Sequence, residues 1–148
     1  MARAPIYTAR AHVDGDRSDG HGRSADGTLE VDLRRPAEMG GEGGGTNPEE
    51  LFAVGYAACF SNALGVVARR ERVDVGRVSV DARVALIPVS GEVRRFEIGV
   101  ELDVRLPDVA DADRAVALVA AAHQVCPYSN ATRGNVDVAL TANGAPVS

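Results

Sequence analysis

An α+β fold is predicted by three features of the sequence. Leu51 to Ala68 carries no charge and reads as a single core helix, while Val78 to Leu86 and Phe96 to Leu106 alternate apolar with polar residues as the two arms of a long hairpin. Shorter alternations near both ends, at Leu29, Val31, Leu33 and at Val136, Val138, Leu140, add further strands. The expected order is hairpin, buried helix, hairpin, helix, strand, with strands pairing antiparallel and two layers packed on each other.

Taken in order, Ile6 to Val13 mixes β-branched and small residues and reads as a first strand, followed by a polar turn, Gly15 to Gly27, that carries Arg17 and Arg23. Pro36 ends the strand that follows. The glycine run from Gly40 to Gly45 looks like a phosphate cradle, but no Lys-Ser or Lys-Thr pair follows it, so it is expected to be a flexible lead into the helix.

The start of the helix is strongly marked: Asn47 is an N-cap type, Pro48 suits the first helical position, and Glu50 stands where its carboxylate can reach back to the cap. Apolar and small residues cover every side of it, which predicts burial all round. A chain of 148 residues covers such a helix poorly by itself, so the expectation is one domain (1–148) paired as an intertwined homodimer. After the second hairpin, Pro107 closes the strand and Asp108 or Asp111 caps an alanine-rich helix to His123. Cys126-Pro127 interrupts it, a short turn or helix follows, a last strand ends at Leu140, and 142–148 is expected to fray.

The net charge of -5 is spread along the chain, which argues against a nucleic-acid or anionic-membrane partner. Leu51 to Ala68 reaches spanning length, yet Ser61, Asn62, two glycines and five alanines make it weakly hydrophobic, so no membrane span is expected. MARAPIYTAR has no apolar core of the secretory kind, and a cytoplasmic protein is expected. In a reducing compartment, a bond between Cys59 and Cys126 would be transient, catalytic or sensory.

His12, His21 and His123 and the two cysteines are scattered without close ligand pairs, so no metal is expected, and no serine sits in a nucleophile elbow. A thiol reacts as thiolate, and burial in mid-helix works against Cys59; Cys126, before Pro127, can stand at a helix N-terminus, which favours an anion. On local physics Cys126 is the better nucleophile. For Cys59 to react, a cation must reach it, and Arg17 and Arg23 are candidates.

The blocks TNPEELFAVGYAACF and HQVCPYSNATRGN, in this order and at this separation, resemble the organic hydroperoxide resistance family within the OsmC superfamily. The first block points to the superfamily and the second, around Cys126, to this branch; the likeness runs from about Tyr7 to Leu140. The resemblance implies an interwoven dimeric thiol peroxidase that reduces alkyl, aryl or lipid hydroperoxides. It implies Cys59 as peroxidatic and Cys126 as resolving cysteine, with Arg17 as the activating arginine, Arg23 the runner-up, and Glu49 as the acid that holds it. It implies no bound cofactor, and an external dithiol, a lipoyl group, as reductant.

Glu49 and Cys59 are ten positions apart, about 15 Å and some 80° around an unbroken helix, so Glu49 can act only through the arginine unless the helix breaks near Gly55. Phe52, Tyr56 and Phe60 lie near the thiol in sequence and are the candidate lining of an apolar pocket. The competing readings are a redox-sensing or ligand-binding dimer without turnover and a structural dimer with inert thiols.

Overall fold

The computed structural model describes residues 3–91 and 94–148. Met1 and Ala2 of the N-terminal stretch and Glu92 of the expected PVSGE turn lie outside the described residues. The chain forms two compact units, one ending at Leu51 and the other beginning at Phe52.

In the first unit, β1 (Ala11–Asp14), β2 (Asp19–Ser24) and β3 (Glu30–Arg34) form an antiparallel sheet in that order. Two expectations are corrected here. The first strand starts at Ala11 rather than Ile6, and Ile6 and Tyr7 remain exposed, so nothing buries the apolar half of a strand there. Half of the supposed turn is β2. Its buried positions are Gly20 and Gly22, which leave no apolar alternation to read. A Cβ on Gly22 would stand 3.5 Å from the side chains of Val13 and Val31, on the two flanking strands.

A single 3₁₀ turn, Ala37–Met39, leads into the glycine run. The run is no loose lead: Thr46 N–H donates to Asp32 O at 2.8 Å and Arg34 N–H donates to Thr46 O at 3.0 Å. Gly41 and Gly45 lie so close to the chain before them that a Cβ would come within 2.1 Å of Arg35 O and 2.5 Å of Asp32 O. Glycine is required there by close approach.

Helix α1 (Pro48–Glu71) opens as the sequence signals it should, with Asn47 Oδ1 accepting from Glu50 N–H at 2.8 Å. The Glu50 carboxylate is taken by the Asn47 amide and the Thr46 hydroxyl instead of the cap N–H. The helix runs without the break considered near Gly55.

The second unit contains the rest of α1, β4 (Ser79–Pro88), β5 (Phe96–Arg105), α2 (Ala112–Val125), α3 (Pro127–Thr132), β6 (Val138–Ala142) and β7 (Ala145–Val147). The sheet order is β4-β5-β6-β7. The long hairpin pairs as expected, Val84 opposite Val100 and Leu86 opposite Ile98. β6 departs from the antiparallel expectation and runs parallel to β5, a pairing that needs a long crossover, which α2 and α3 supply. Asp111 caps α2, accepting from Arg114 N–H.

Alternate residues of β5 (Val100, Leu102, Val104) join Tyr56, Phe60, Leu64 and Val67 of α1 and Leu118, Val119 and Ala122 of α2 in one core. The buried residues of α1 form a stripe; Val54 is 70 % exposed and Ala58 and Asn62, one and two turns on, are exposed too. Burial all round is therefore not reached within one chain. By length and mean hydropathy (1.7) α1 could cross a bilayer, but its stripe belongs to this core.

The segment expected to fray returns instead as β7. Asn143 and Gly144 make the turn at positive φ, and the Asn143 side chain accepts from Leu106 N–H at 2.8 Å while donating to the Leu106 and Val109 carbonyls. An Asn-Gly pair is a strong hairpin signal, and here it also ties the turn to the end of β5.

Candidate active site

Cys59 sits on α1, half-buried, and Cys126 is fully buried where α2 meets α3. Their sulfurs are 3.5 Å apart, and both are free thiols. The junction follows from Cys126-Pro127. Cys126 closes α2 with its N–H on Ala122 O, turns extended at ψ 123°, and hands over to Pro127, which has no N–H to continue the ladder and is preformed for a first helical turn. Cys126 is thus the residue ahead of a helix, as its place before proline suggests. It is also closed to solvent, so Cys59 is the thiol that an incoming molecule meets first.

Burial pushes the Cys59 thiol above its ordinary value; the Tyr128 backbone N–H pulls the other way, and the neighbouring Cys126 thiol adds to the rise. Left to this unit alone, Cys59 is a protonated thiol at neutral pH.

Tyr56 and Phe60 are fully buried core residues, and Phe52 is half-buried. Phe52, Tyr56 and Tyr128 form an aromatic cluster, with ring centres 5.6 Å apart for Tyr56 and Tyr128 and 6.0 Å for each pair with Phe52. The aromatic groups beside the thiols that stay partly open are therefore Phe52 and Tyr128. Gly55 is explained by the same cluster, since a Cβ there would come within 2.9 Å of the Tyr128 hydroxyl.

A polar chain runs beside the thiols. The Tyr56 hydroxyl lies 2.8 Å from Ser129 Oγ and 3.1 Å from Thr132 Oγ1, and His123 Nδ1 lies 2.8 Å from Ser129 Oγ. Burial, then the Arg133 charge, lowers the His123 pKa and keeps the ring neutral at neutral pH. The sequence reading left out Tyr128, Ser129 and Thr132. A signal was present: a lone tyrosine in a buried helix needs a partner for its hydroxyl, and the segment after Cys126 carries two small hydroxyls.

In the first unit, Gly15 at φ 83° and the Asp16 carboxylate, which accepts from Ser18 and Asp19 N–H, shape the tight turn that carries Arg17. Arg17 forks onto Glu49, Nη2 to Oε1 at 2.8 Å and Nη1 to Oε2 at 3.2 Å. Burial alone would raise the Glu49 pKa; the Arg17 hydrogen bonds, a backbone N–H at the helix start and the Arg17 charge together outweigh it and hold the carboxyl below its ordinary value. Arg23 lies on β2, exposed, opposite His12 and Glu30. The structure thus brings Arg17 to Glu49 and Cys59 to Cys126. Among the described residues, no group of three or more His, Cys, Asp or Glu is placed to hold a metal.

Comparison with known proteins gives the family. Residues 41–141 match the family model described as OsmC-like protein. The chain is 49 % identical to the organic hydroperoxide resistance protein of Xanthomonas axonopodis pv. citri over 92 % of this chain and 94 % of that one. A crystal structure from Vibrio cholerae, of a putative organic hydroperoxide resistance protein with captopril in one of its active sites, superposes with a TM-score of 0.89 at 43 % identity, covering 99 % of both chains. OhrB of Bacillus subtilis superposes with a TM-score of 0.83 at 44 % identity, covering 93 % of this chain and 98 % of that one. The chain belongs to the organic hydroperoxide resistance family of OsmC-like proteins.

Proposed function

We propose that this chain acts in organic hydroperoxide resistance as a thiol peroxidase that reduces alkyl, aryl or lipid hydroperoxides to alcohols. The observation that carries the reading is the 3.5 Å separation of Cys59 and Cys126 as free thiols, one reachable and one buried. The names of its relatives supply the substrate class.

In this reading the Cys59 thiolate attacks the O–O bond, the alcohol leaves, and Cys59 becomes a sulfenic acid. The thiol needs a cation to ionise, and Arg17, oriented by Glu49, is the proposed source; it also stabilises charge developing on the leaving oxygen. Cys126 then condenses with the sulfenic acid before further oxidation makes the damage irreversible. A dithiol, proposed to be a lipoyl group on a partner protein in the cytoplasm, resets the pair. No bound cofactor takes part.

Phe52 and Tyr128 are the proposed contacts for the organic tail, whose burial adds binding that hydrogen peroxide cannot gain. A homodimer is proposed on the exposed apolar stripe of α1 at Val54 and Ala58. The test is turnover: with dihydrolipoamide in excess, many equivalents of cumene hydroperoxide should be consumed per chain. Consumption that stops at one equivalent contradicts the enzyme reading and favours a sensor.

A further inference from the structure

Helix α3 is six residues long, too short to be stable without tertiary support. Its buried side chains are Ser129 and Thr132, both hydroxyls, and not the apolar groups that normally dock a helix. What they meet is the hydroxyl of Tyr56, on α1. The spacing is parallel on the two sides: Tyr56 stands three residues before Cys59 on α1, and Ser129 three residues after Cys126. A hydrogen bond of 2.8 Å and a sulfur pair at 3.5 Å therefore lie side by side across the same two segments.

One placement of protons satisfies every bond in the group. Thr132 donates to the Ser129 carbonyl at 3.2 Å, which leaves its oxygen to accept from Tyr56; Tyr56 then accepts from Ser129, and Ser129 accepts from His123 Nδ1–H. Four donors and four acceptors are matched in one direction. Such a network in a dry interior is stiff, because any slip strands a buried polar group.

Closure of the disulfide needs the sulfurs to move from 3.5 Å to about 2.0 Å, a distance that side chains can cover only while the backbone of α3 stays against α1. We infer that the Tyr56–Ser129 hydrogen bond is a brace that holds Cys126 within bonding reach of Cys59 and so sets the rate at which the sulfenic acid is resolved. This rests on the peroxidase reading above. In the step concerned, the Cys126 sulfur bonds to the Cys59 sulfur, the S–O bond of the sulfenic acid breaks, and hydroxide leaves as water with the Cys126 proton. Cys59 sulfur is reduced and Cys126 sulfur oxidised. Tyr56 and Ser129 touch neither sulfur in this account; they are positioning residues.

The test uses the full chain and its variants Tyr56→Phe, Ser129→Ala and both together, each reduced and then mixed with one equivalent of cumene hydroperoxide. Sulfenic acid formation and disulfide formation are timed separately, by trapping with a 1,3-dione probe and by quenched peptide mapping. Each single variant should close the disulfide about tenfold more slowly, the effect of one buried hydrogen bond, and accumulate sulfinic acid under excess oxidant. The double variant should be no slower than the slower single, since both lose the same bond. If Tyr56→Phe does not fold, Ser129→Ala alone decides. Closure within about twofold of the parent in a folded variant overturns the brace, a change smaller than a neutral hydrogen bond contributes. A parent that consumes no hydroperoxide and keeps both thiols contradicts the peroxidase reading, and the brace with it; a parent that closes beside variants that close equally fast contradicts the brace alone.

Discussion

The Arg17 guanidinium grips the Glu49 carboxylate through two hydrogen bonds, 2.8 and 3.2 Å, across 32 residues of sequence. Bidentate geometry of this kind fixes the plane of the guanidinium as well as its position. Glu49→Gln keeps one acceptor oxygen and loses the charge. It should slow the oxidation of Cys59 by about tenfold, since a charge-assisted bond is about twice as strong as a neutral one. Stopped-flow measurement of sulfenic acid formation checks this.

The two arginines of the early segment should behave differently. Arg17→Ala leaves Glu49 unpaired and removes the proposed cation, with an expected loss of about a hundredfold in Cys59 oxidation rate, as for a lost charge stabiliser in an active site. Arg23→Ala, exposed on β2, should stay within about twofold, as surface substitutions generally do. Arg17→Lys should recover only part, because an ammonium cannot fork onto the carboxylate.

The raised proton affinity of Cys59 gives a signed pH dependence. A thiol with a raised pKa is less ionised at neutral pH, so alkylation of Cys59 by iodoacetamide should climb with pH through and above the ordinary thiol range. Cys126→Ala removes a neighbour that raises it, and should move the profile to lower pH. Glu49 adds no limb in that range, because its titration is displaced downward, below ordinary carboxylates. The stability contributed by its pairing is present above the unfolded-state carboxyl pKa and is lost only as pH falls through the lower folded value.

Asn143 is expected to matter for stability out of proportion to its place near the end of the chain. Its side chain serves Leu106 N–H and two carbonyls, and its backbone holds a positive φ that few other residues tolerate. Asn143→Ala should cost about 2 kcal/mol, the effect of stranding a buried N–H together with an unfavourable φ, read as a shift of the urea midpoint.

The elements with strong hydrophobic periods were legible. The long hairpin from Val78 to Leu106, the capped start of α1 and the interruption at Cys126-Pro127 are all where alternation, Asn47-Pro48 and proline place them. β2 was hidden because Gly20 and Gly22 occupy its buried positions, so a strand made of small residues reads as a turn. β7 was hidden by its shortness, although Asn143-Gly144 announced its turn. An apolar composition on all sides of α1 predicts burial that one short chain cannot supply alone, and Val54 shows that one chain covers only one stripe. The roles of Cys59, Cys126, Arg17 and Glu49 were assigned through family likeness. No local pattern could have paired Arg17 with Glu49 or placed Tyr56 on Ser129, because these contacts join residues 32 and 73 apart.

The central claim is that Cys59 and Cys126 work as one redox pair toward organic hydroperoxides, and the most direct measurement is a peptide map. The reduced chain is given one equivalent of cumene hydroperoxide or of hydrogen peroxide, quenched by alkylation, digested and read by mass spectrometry. The account predicts a Cys59–Cys126 disulfide that forms fully with the organic oxidant and poorly with hydrogen peroxide. Two alkylated thiols after the organic hydroperoxide would contradict it.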